Sequence, residues 1–245
     1  RLEGQIFVID DYDRKPAFSS FLPGLAGVKG IPLWTFYTNR GQGMNSFGID
    51  NKGNAIMEFN SANTAFENTQ VKGFRTFLKI DGEYYEPFFT YEKEAKRQMR
   101  MNKNSFKIIE TNEKYGIEVT VNYYVLPNES IGALVRQVSV KNIGDSAKEV
   151  QVIDGLPKII TYGIANGEFK EMSNLFKSWA DIRNLENKVP YYTLRASTKD
   201  SAEVSDVEGG YYYLTVRDGK LQDVIYDVDT VFGYDLSLMT PVNFI

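Results

Sequence analysis

Between Tyr115 and Gly155 apolar and polar residues alternate for strand after strand. Ile117, Val119, Val121, Tyr123 and Val125 share one face of a run whose other face carries Glu118, Thr120, Asn122 and Tyr124, the period of two expected of a half-buried strand. The next run, Leu134 to Lys141, sets Val138 and Val140 against Gln137, Ser139 and Lys141. It breaks at Asn142-Ile143-Gly144-Asp145, where a turn sends the chain back through Glu149 to Asp154. Further turn signals at Asp50-Asn51-Lys52-Gly53, Asp81-Gly82, Gly209-Gly210 and Asp218-Gly219 separate runs rich in aromatic and β-branched residues. They predict strands near Gln5 to Ile9, Leu33 to Tyr37, Asn45 to Ile49, Ala55 to Asn60, Phe74 to Ile80, Lys96 to Met101 and Ser105 to Glu110. More follow at Gly116 to Leu126, Ile131 to Asn142, Lys148 to Leu156, Tyr191 to Ser197, Gly210 to Val216 and Asp223 to Asp227. Short strands at such regular spacing favour a mostly β, antiparallel sandwich over a parallel α/β sheet.

One segment departs from this pattern. Phe169, Met172, Leu175, Phe176, Trp179 and Ile182 recur at helical spacing ahead of Pro190, which predicts one principal crossover helix, Glu168 to Leu185, laid over a sheet edge. No repeat, low-complexity tract or linker divides the chain, so residues 1–245 read as a single domain. The basic segment Lys93 to Lys107, interleaved with Met99, Met101 and Phe106, reads as a long solvated edge strand whose charges resist unwanted pairing. Because the chain opens on Arg1 and stops in the apolar stretch Asp235 to Ile245, it is expected to be a piece of a longer protein.

Composition narrows the chemistry. Sixteen Tyr and 16 Phe within a 42% hydrophobic chain favour strands and a packed core. A net charge of −4 with interspersed signs offers no footprint for a phosphate backbone, so nucleic acid is not an expected partner. No apolar run reaches membrane-spanning length or resembles a signal peptide, and a cytoplasmic location without a membrane partner is expected. Histidine and cysteine are both absent. That excludes Ser-His-Asp and Cys-His nucleophilic arrangements and the usual zinc sites, leaving carboxylate, lysine and tyrosine chemistry and no expected cofactor or metal.

The remaining motifs are weak. Asp10, Asp11 and Asp13 lack the glycine and distal glutamate of a calcium loop and read as a solvated turn. Gly41-Gln42-Gly43-Met44-Asn45-Ser46-Phe47-Gly48 places its third glycine too late for a dinucleotide loop and runs into a strand instead of a helix. With 32 acidic residues, no Asp or Glu pair stands out as a glycosidase acid and base. Ile31 to Gly48 differs in kind, gathering Trp34, Phe36, Tyr37, Asn39, Arg40, Gln42, Asn45 and Ser46 within one strand and one glycine-rich loop. Such mixtures suit sugars, whose ring faces meet aromatics and whose hydroxyls meet planar polar groups; a Trp34 simply facing the core is the competing reading.

Three segments in order resemble a known family. Pro16-Ala17-Phe18-Ser19-Ser20-Phe21-Leu22-Pro23-Gly24, followed by Gly30-Ile31-Pro32-Leu33-Trp34 and Asn39-Arg40-Gly41-Gln42-Gly43, is similar to the opening of the 1,2-β-oligoglucan phosphorylases of glycoside hydrolase family 94. Arg136-Gln137-Val138-Ser139-Val140-Lys141-Asn142 with Gly144-Asp145 resembles a strand and turn of their N-terminal β-sandwich. Ser173-Asn174-Leu175-Phe176 and Tyr192-Thr193-Leu194-Arg195-Ala196 resemble its helix-to-strand crossover.

The resemblance implies a galactose-mutarotase-like super-β-sandwich joined in the parent chain to an (α/α)6 catalytic barrel. The parent, a glycosyltransferase-type glycoside phosphorylase, would convert β-1,2-glucooligosaccharides and inorganic phosphate to glucose 1-phosphate with inversion. The catalytic Asp and phosphate ligands would lie in the barrel, so this domain alone would be inactive, helping substrate access and subunit contact. Its implied partners are a β-glucan oligosaccharide, the barrel and a second copy in a homodimer, with Trp34, Arg40 and Gln42 as candidate sugar contacts. A stand-alone glycan-binding β-sandwich is the alternative. Mutarotase activity itself depends on histidine acid chemistry that this chain lacks.

Overall fold

The computed structural model describes residues 1–22, 24–89, 93–199 and 201–245, without the Ser173 side chain. Pro23 and that side chain, both within segments that carry the resemblance, lie outside the described residues. Strand makes up 39% of the chain and helix 13%, so sheets carry the fold. Every ladder between the described strands is antiparallel.

The alternating stretch forms one side of a six-stranded sheet in the order Leu2–Glu3, Ile6–Asp10, Lys96–Met101, Ser105–Asn112, Ile117–Val125 and Leu134–Asn142. Ile117, Val119, Val121 and Tyr123 are buried, as their alternation requires. Val138 and Val140 are only partly buried, because Leu134–Asn142 has a strand neighbour on one side alone. A five-stranded sheet joins Ser19–Leu22, Ile31–Thr38, Met44–Ile49 and Ala55–Met57 in order, with Leu25–Ala26 paired to Ile31–Thr38. Two three-stranded sheets (Val150–Gly155, Arg75–Ile80, Glu83–Tyr85; Ala180–Arg183, Tyr191–Leu194, Tyr211–Tyr212) and the hairpin Val216–Arg217, Lys220–Leu221 complete the set.

The main core draws on three sheets. Tyr37, Met44, Phe47 and Met57 of the five-stranded sheet meet Met99, Phe106, Ile108, Val121 and Tyr123 of the six-stranded sheet, with Leu78, Ile80 and Tyr85 closing one side. Tyr37, Phe106 and Tyr123 stack in file with ring centroids 4.5 and 4.6 Å apart, the offset geometry aromatic pairs prefer. Gly43 meets this stack: its φ is +84°, and a Cβ there would lie 2.7 Å from the Phe106 ring. Only glycine satisfies both the backbone and the packing.

Several expectations are corrected. Lys96–Met101 is not an edge strand, since Ile6–Asp10 flanks it on one side and Ser105–Asn112 on the other. Its inward positions include Met99 and Arg97, both buried. The predicted helix Glu168 to Leu185 holds only for its first half. Three helices are described, α1 (Ala62–Thr69), α2 (Asn166–Phe176) and α3 (Asp229–Phe232). α2 buries Phe169 and Phe176, turns through Ser178 and Trp179 back-bonding to the Leu175 and Phe176 carbonyls, and gives way to a strand at Ala180. There, pairing of Ala180–Arg183 with Tyr191–Leu194 overrides the local helical spacing. Asp223 to Asp227 forms no strand, and α1 was not anticipated. Asp13 is not solvated: its carboxylate is buried against Arg97.

Candidate functional site

The glycine loop between Ile31–Thr38 and Met44–Ile49 is built on Asn39. Buried there, Asn39 donates from Nδ2 to the carbonyls of Tyr12 (2.8 Å), Lys15 (3.3 Å) and Pro16 (3.0 Å), and its Oδ1 accepts from the Phe18 N–H (2.9 Å). The Gly41 carbonyl accepts from the buried Tyr12 hydroxyl at 2.6 Å. The loop is thus pinned to residues 12–18, and the three candidate sugar contacts diverge from it.

Trp34 donates from Nε1 to the Asn51 carbonyl at 3.0 Å and packs with Phe36 and Phe59, each 5.9 Å away by ring centroid. Arg40 donates to the carbonyls of Asn39 (2.8 Å) and Lys15 (3.3 Å). Gln42 turns inward and is 3% exposed. Its Oε1 accepts from Arg136 and Thr76, while its Nε2 is buried with no partner. The structure does not bring these three side chains together, and Gln42 is sealed away from any sugar.

Buried charge is committed to three arginine centres. Arg97 donates to Glu110 and to Asp13, each at 2.6 Å, and to the Phe89 carbonyl at 2.7 Å. Glu110 also accepts from the Tyr85 hydroxyl and from the Phe88 N–H at 2.6 Å. Burial pushes the Glu110 carboxyl up from its ordinary value, and these donors, Arg97 first, oppose it. Arg75 grips Glu86 through both carboxylate oxygens at 2.7 and 2.8 Å, and burial likewise raises Glu86 against that pull. Arg136 contacts Asp154 at 2.6 and 3.2 Å, Thr76 at 3.1 Å and the Tyr123 hydroxyl at 2.5 Å. Each of these carboxylates has a fixed cationic partner.

The accessible concavity lies elsewhere. An open groove of about 600 Å³ runs between the Ile6–Asp10 strand and Ser19–Leu22, lined by Phe7, Phe18 and Tyr37 with Ser19, Ser20 and Asn102 among its polar groups. Phe7 is 50% exposed. Sequence reasoning placed Tyr37 of this lining in its sugar-suited cluster and Gln5 to Ile9 in a strand, but did not bring the two together as a site. Among the described residues no cluster of three or more acidic side chains could hold a metal ion, and no helix is long and apolar enough to cross a membrane. No protein-family model matches the chain, and no curated protein matches it as a relative.

Proposed function

We propose that this chain is a non-catalytic carbohydrate-enzyme domain: a super-β-sandwich, galactose-mutarotase-like, of the kind that accompanies the (α/α)6 barrel of an inverting β-glucoside phosphorylase. The core shared by the six- and five-stranded sheets supports the paired-layer reading. The observation that carries the functional reading is the groove where the two sheets approach, lined by Phe7, Phe18 and the largely buried Tyr37 beside Ser19, Ser20 and Asn102. Pyranose rings present apolar faces and a hydroxyl rim, and this lining answers both. Sugar contact therefore moves from Trp34, Arg40 and Gln42 to the groove, which would help deliver β-1,2-glucan to a barrel that performs the phosphorolysis, within one subunit or across a homodimer.

The test is a titration of the chain with sophorose and longer β-1,2-glucans, followed by amide NMR. Shifts confined to residues 5–9, 18–20, 37 and 101–103, and abolished by Phe7→Ala in a still-folded protein, support the proposal. Formation of glucose 1-phosphate from sophorose and phosphate by this chain alone would defeat it, as would the absence of any saturable shift. The same groove also favours a stand-alone glycan-binding module, which differs in holding glucan with undiminished affinity when no barrel is present.

A further inference from the structure

The six-stranded sheet ends on Leu134–Asn142, a strand of nine residues paired on one side alone. The terminal strands of the other described sheets run only two to six residues. Two bonds that bracket its ladder with Ile117–Val125 fix which backbone groups face outward. The Leu126 N–H donates to the Ala133 carbonyl and the Ile143 N–H to the Gly116 carbonyl, each at 2.9 Å. Bonded pairs alternate along an antiparallel ladder, so Val135, Gln137, Ser139 and Lys141 bond inward, while Leu134, Arg136, Val138, Val140 and Asn142 turn their N–H and C=O groups to the free side. The Gly132 carbonyl, one step earlier in the outward phase, accepts from the Tyr212 hydroxyl at 2.6 Å. Past that point, no backbone bond from a described residue reaches the outward groups of the strand.

Exposed edges are normally blunted by proline, bulges or a row of charges. Residues 134–142 contain neither proline nor glycine, and their ladder runs without a register shift. Arg136 is held inward by Asp154, which leaves Lys141 as the one charge on the solvent face beside Val135, Gln137 and Ser139. The edge is also complementary to itself. In an antiparallel register centred on Val138 all nine residues overlap, with Arg136 opposite Val140, Gln137 opposite Ser139 and Lys141 opposite Val135, so no two like charges face each other. The strand at the far end of the sheet, Leu2–Glu3, has two residues and is too short to template another. Pairing through the long edge therefore uses the same patch on both molecules and closes as a pair instead of growing into a filament.

From the outward phase of the backbone, the length of the edge and its self-complementary side chains, we propose that Leu134–Asn142 docks a second copy of this chain. The two six-stranded sheets join across a two-fold axis at Val138 into one continuous sheet. The outward residues of each copy exchange backbone bonds with those of the other, and the two valines meet on the axis. A nine-residue edge is about 30 Å long and buries less than the roughly 800 Å² per partner of a standard interface. The pair is accordingly reversible, with a dissociation constant on the order of 10 to 100 μM. It uses none of the groove's residues and stands whether or not the groove holds glucan.

The experiment is sedimentation velocity on the whole chain from about 1 to about 500 μM, paired with amide hydrogen exchange at both ends of that range. A monomer-to-dimer transition is expected. The amides of Leu134, Arg136, Val138, Val140 and Asn142 should gain protection at the high concentration, while those of Val135, Gln137, Ser139 and Lys141 are protected throughout. Val138→Pro removes an outward N–H and spares the inner ladder, and should weaken dimerisation by about tenfold or more, one bond being lost from each copy. A second variant avoids proline altogether: Gln137→Lys with Ser139→Lys sets ammonium groups opposite each other on both sides of the axis and should weaken the dimer by about tenfold. Mixing it with the Gln137→Glu, Ser139→Glu protein should restore association. The proposal falls if the chain stays monomeric across the range, which would leave the edge to a strand of another protein. It falls equally if dimers form without the alternating gain in protection, or if the two oppositely charged variants do not complement each other.

Discussion

Two ion pairs of the same length bind neighbouring strands of the six-stranded sheet, and their environments make them opposites. Arg97 and Glu110 face each other directly in register at 2.6 Å, with side chains 2% and 1% exposed. Lys96 and Glu113 are also 2.6 Å apart but 75% and 74% exposed. Replacing Glu110 by Ala removes a buried charge from a guanidinium that stays buried, and strands the Phe88 N–H that Glu110 accepts. Breaking such a pair costs about 3–5 kcal/mol. Asp13 remains at 2.6 Å from Arg97 and keeps part of the charge matched, which places the expected loss near the lower end, about 3 kcal/mol. Against a total stability of about 5–15 kcal/mol for a domain, this is a large share. The assay is urea unfolding followed by far-UV circular dichroism, reading the midpoint at unchanged slope. Glu110→Ala should move the midpoint far below wild type, and Glu113→Ala should leave it in place, since water already solvates both partners of that pair. A Glu110→Ala loss below about 1 kcal/mol, or a comparable loss for Glu113→Ala, would refute the reasoning.

Three further outcomes can be checked independently. Gly43→Ala combines a strained positive φ with a clash against the Phe106 ring and should cost about 2–4 kcal/mol; Gly82→Ala, at φ +87° in open space, should cost only about 1 kcal/mol, and paired denaturation curves compare the two. Asn166 bonds both the N–H and the carbonyl of Phe59, at 3.0 and 3.3 Å, so Asn166→Ala should cost about 1–3 kcal/mol and red-shift the fluorescence of Trp34, which packs on Phe59. The Ser237 hydroxyl, with the N–H groups of Thr240, Ser237 and Met239, holds the Asp235 carboxyl below its ordinary value. Its contribution is present above the unfolded-state pKa and lost as pH falls through the folded one. Acidification should therefore release the Ser237 and Thr240 amides in an NMR titration, and Asp235→Asn should remove that pH dependence.

What the sequence disclosed, and what it hid, follows from how far away the deciding partner lies. The strand Ile117–Val125 was legible because water on one face and core on the other impose alternation locally, and its buried residues are those the pattern picks out. Lys96–Met101 was misjudged because Arg97 looks solvated until Asp13, 84 residues away, is folded against it. The second half of the expected helix failed for a similar reason: Trp179 and Ile182 continue the helical spacing, but the ladder to Tyr191–Leu194 decides their conformation. α1 escaped notice because Ala62–Thr69 buries only Ala65 and Thr69 and carries no apolar stripe. Of the sugar-contact candidates, Gln42 could be read as a polar loop residue, whereas its burial depends on Arg136, 94 positions later.

Arg75 fixes the timetable of folding as well as its end point. From a strand in the first third of the chain it holds the carbonyls of Leu238 and Met239 and packs between Phe77 and Phe232. Contacts across more than 160 positions are slow to form because a long loop must close before they contribute. During synthesis the guanidinium must therefore wait with Glu86 and the Val71 carbonyl until residues 238 and 239 have left the ribosome. The segment around Leu238 and Met239 then acts as a latch on a sheet that has been assembled long before it.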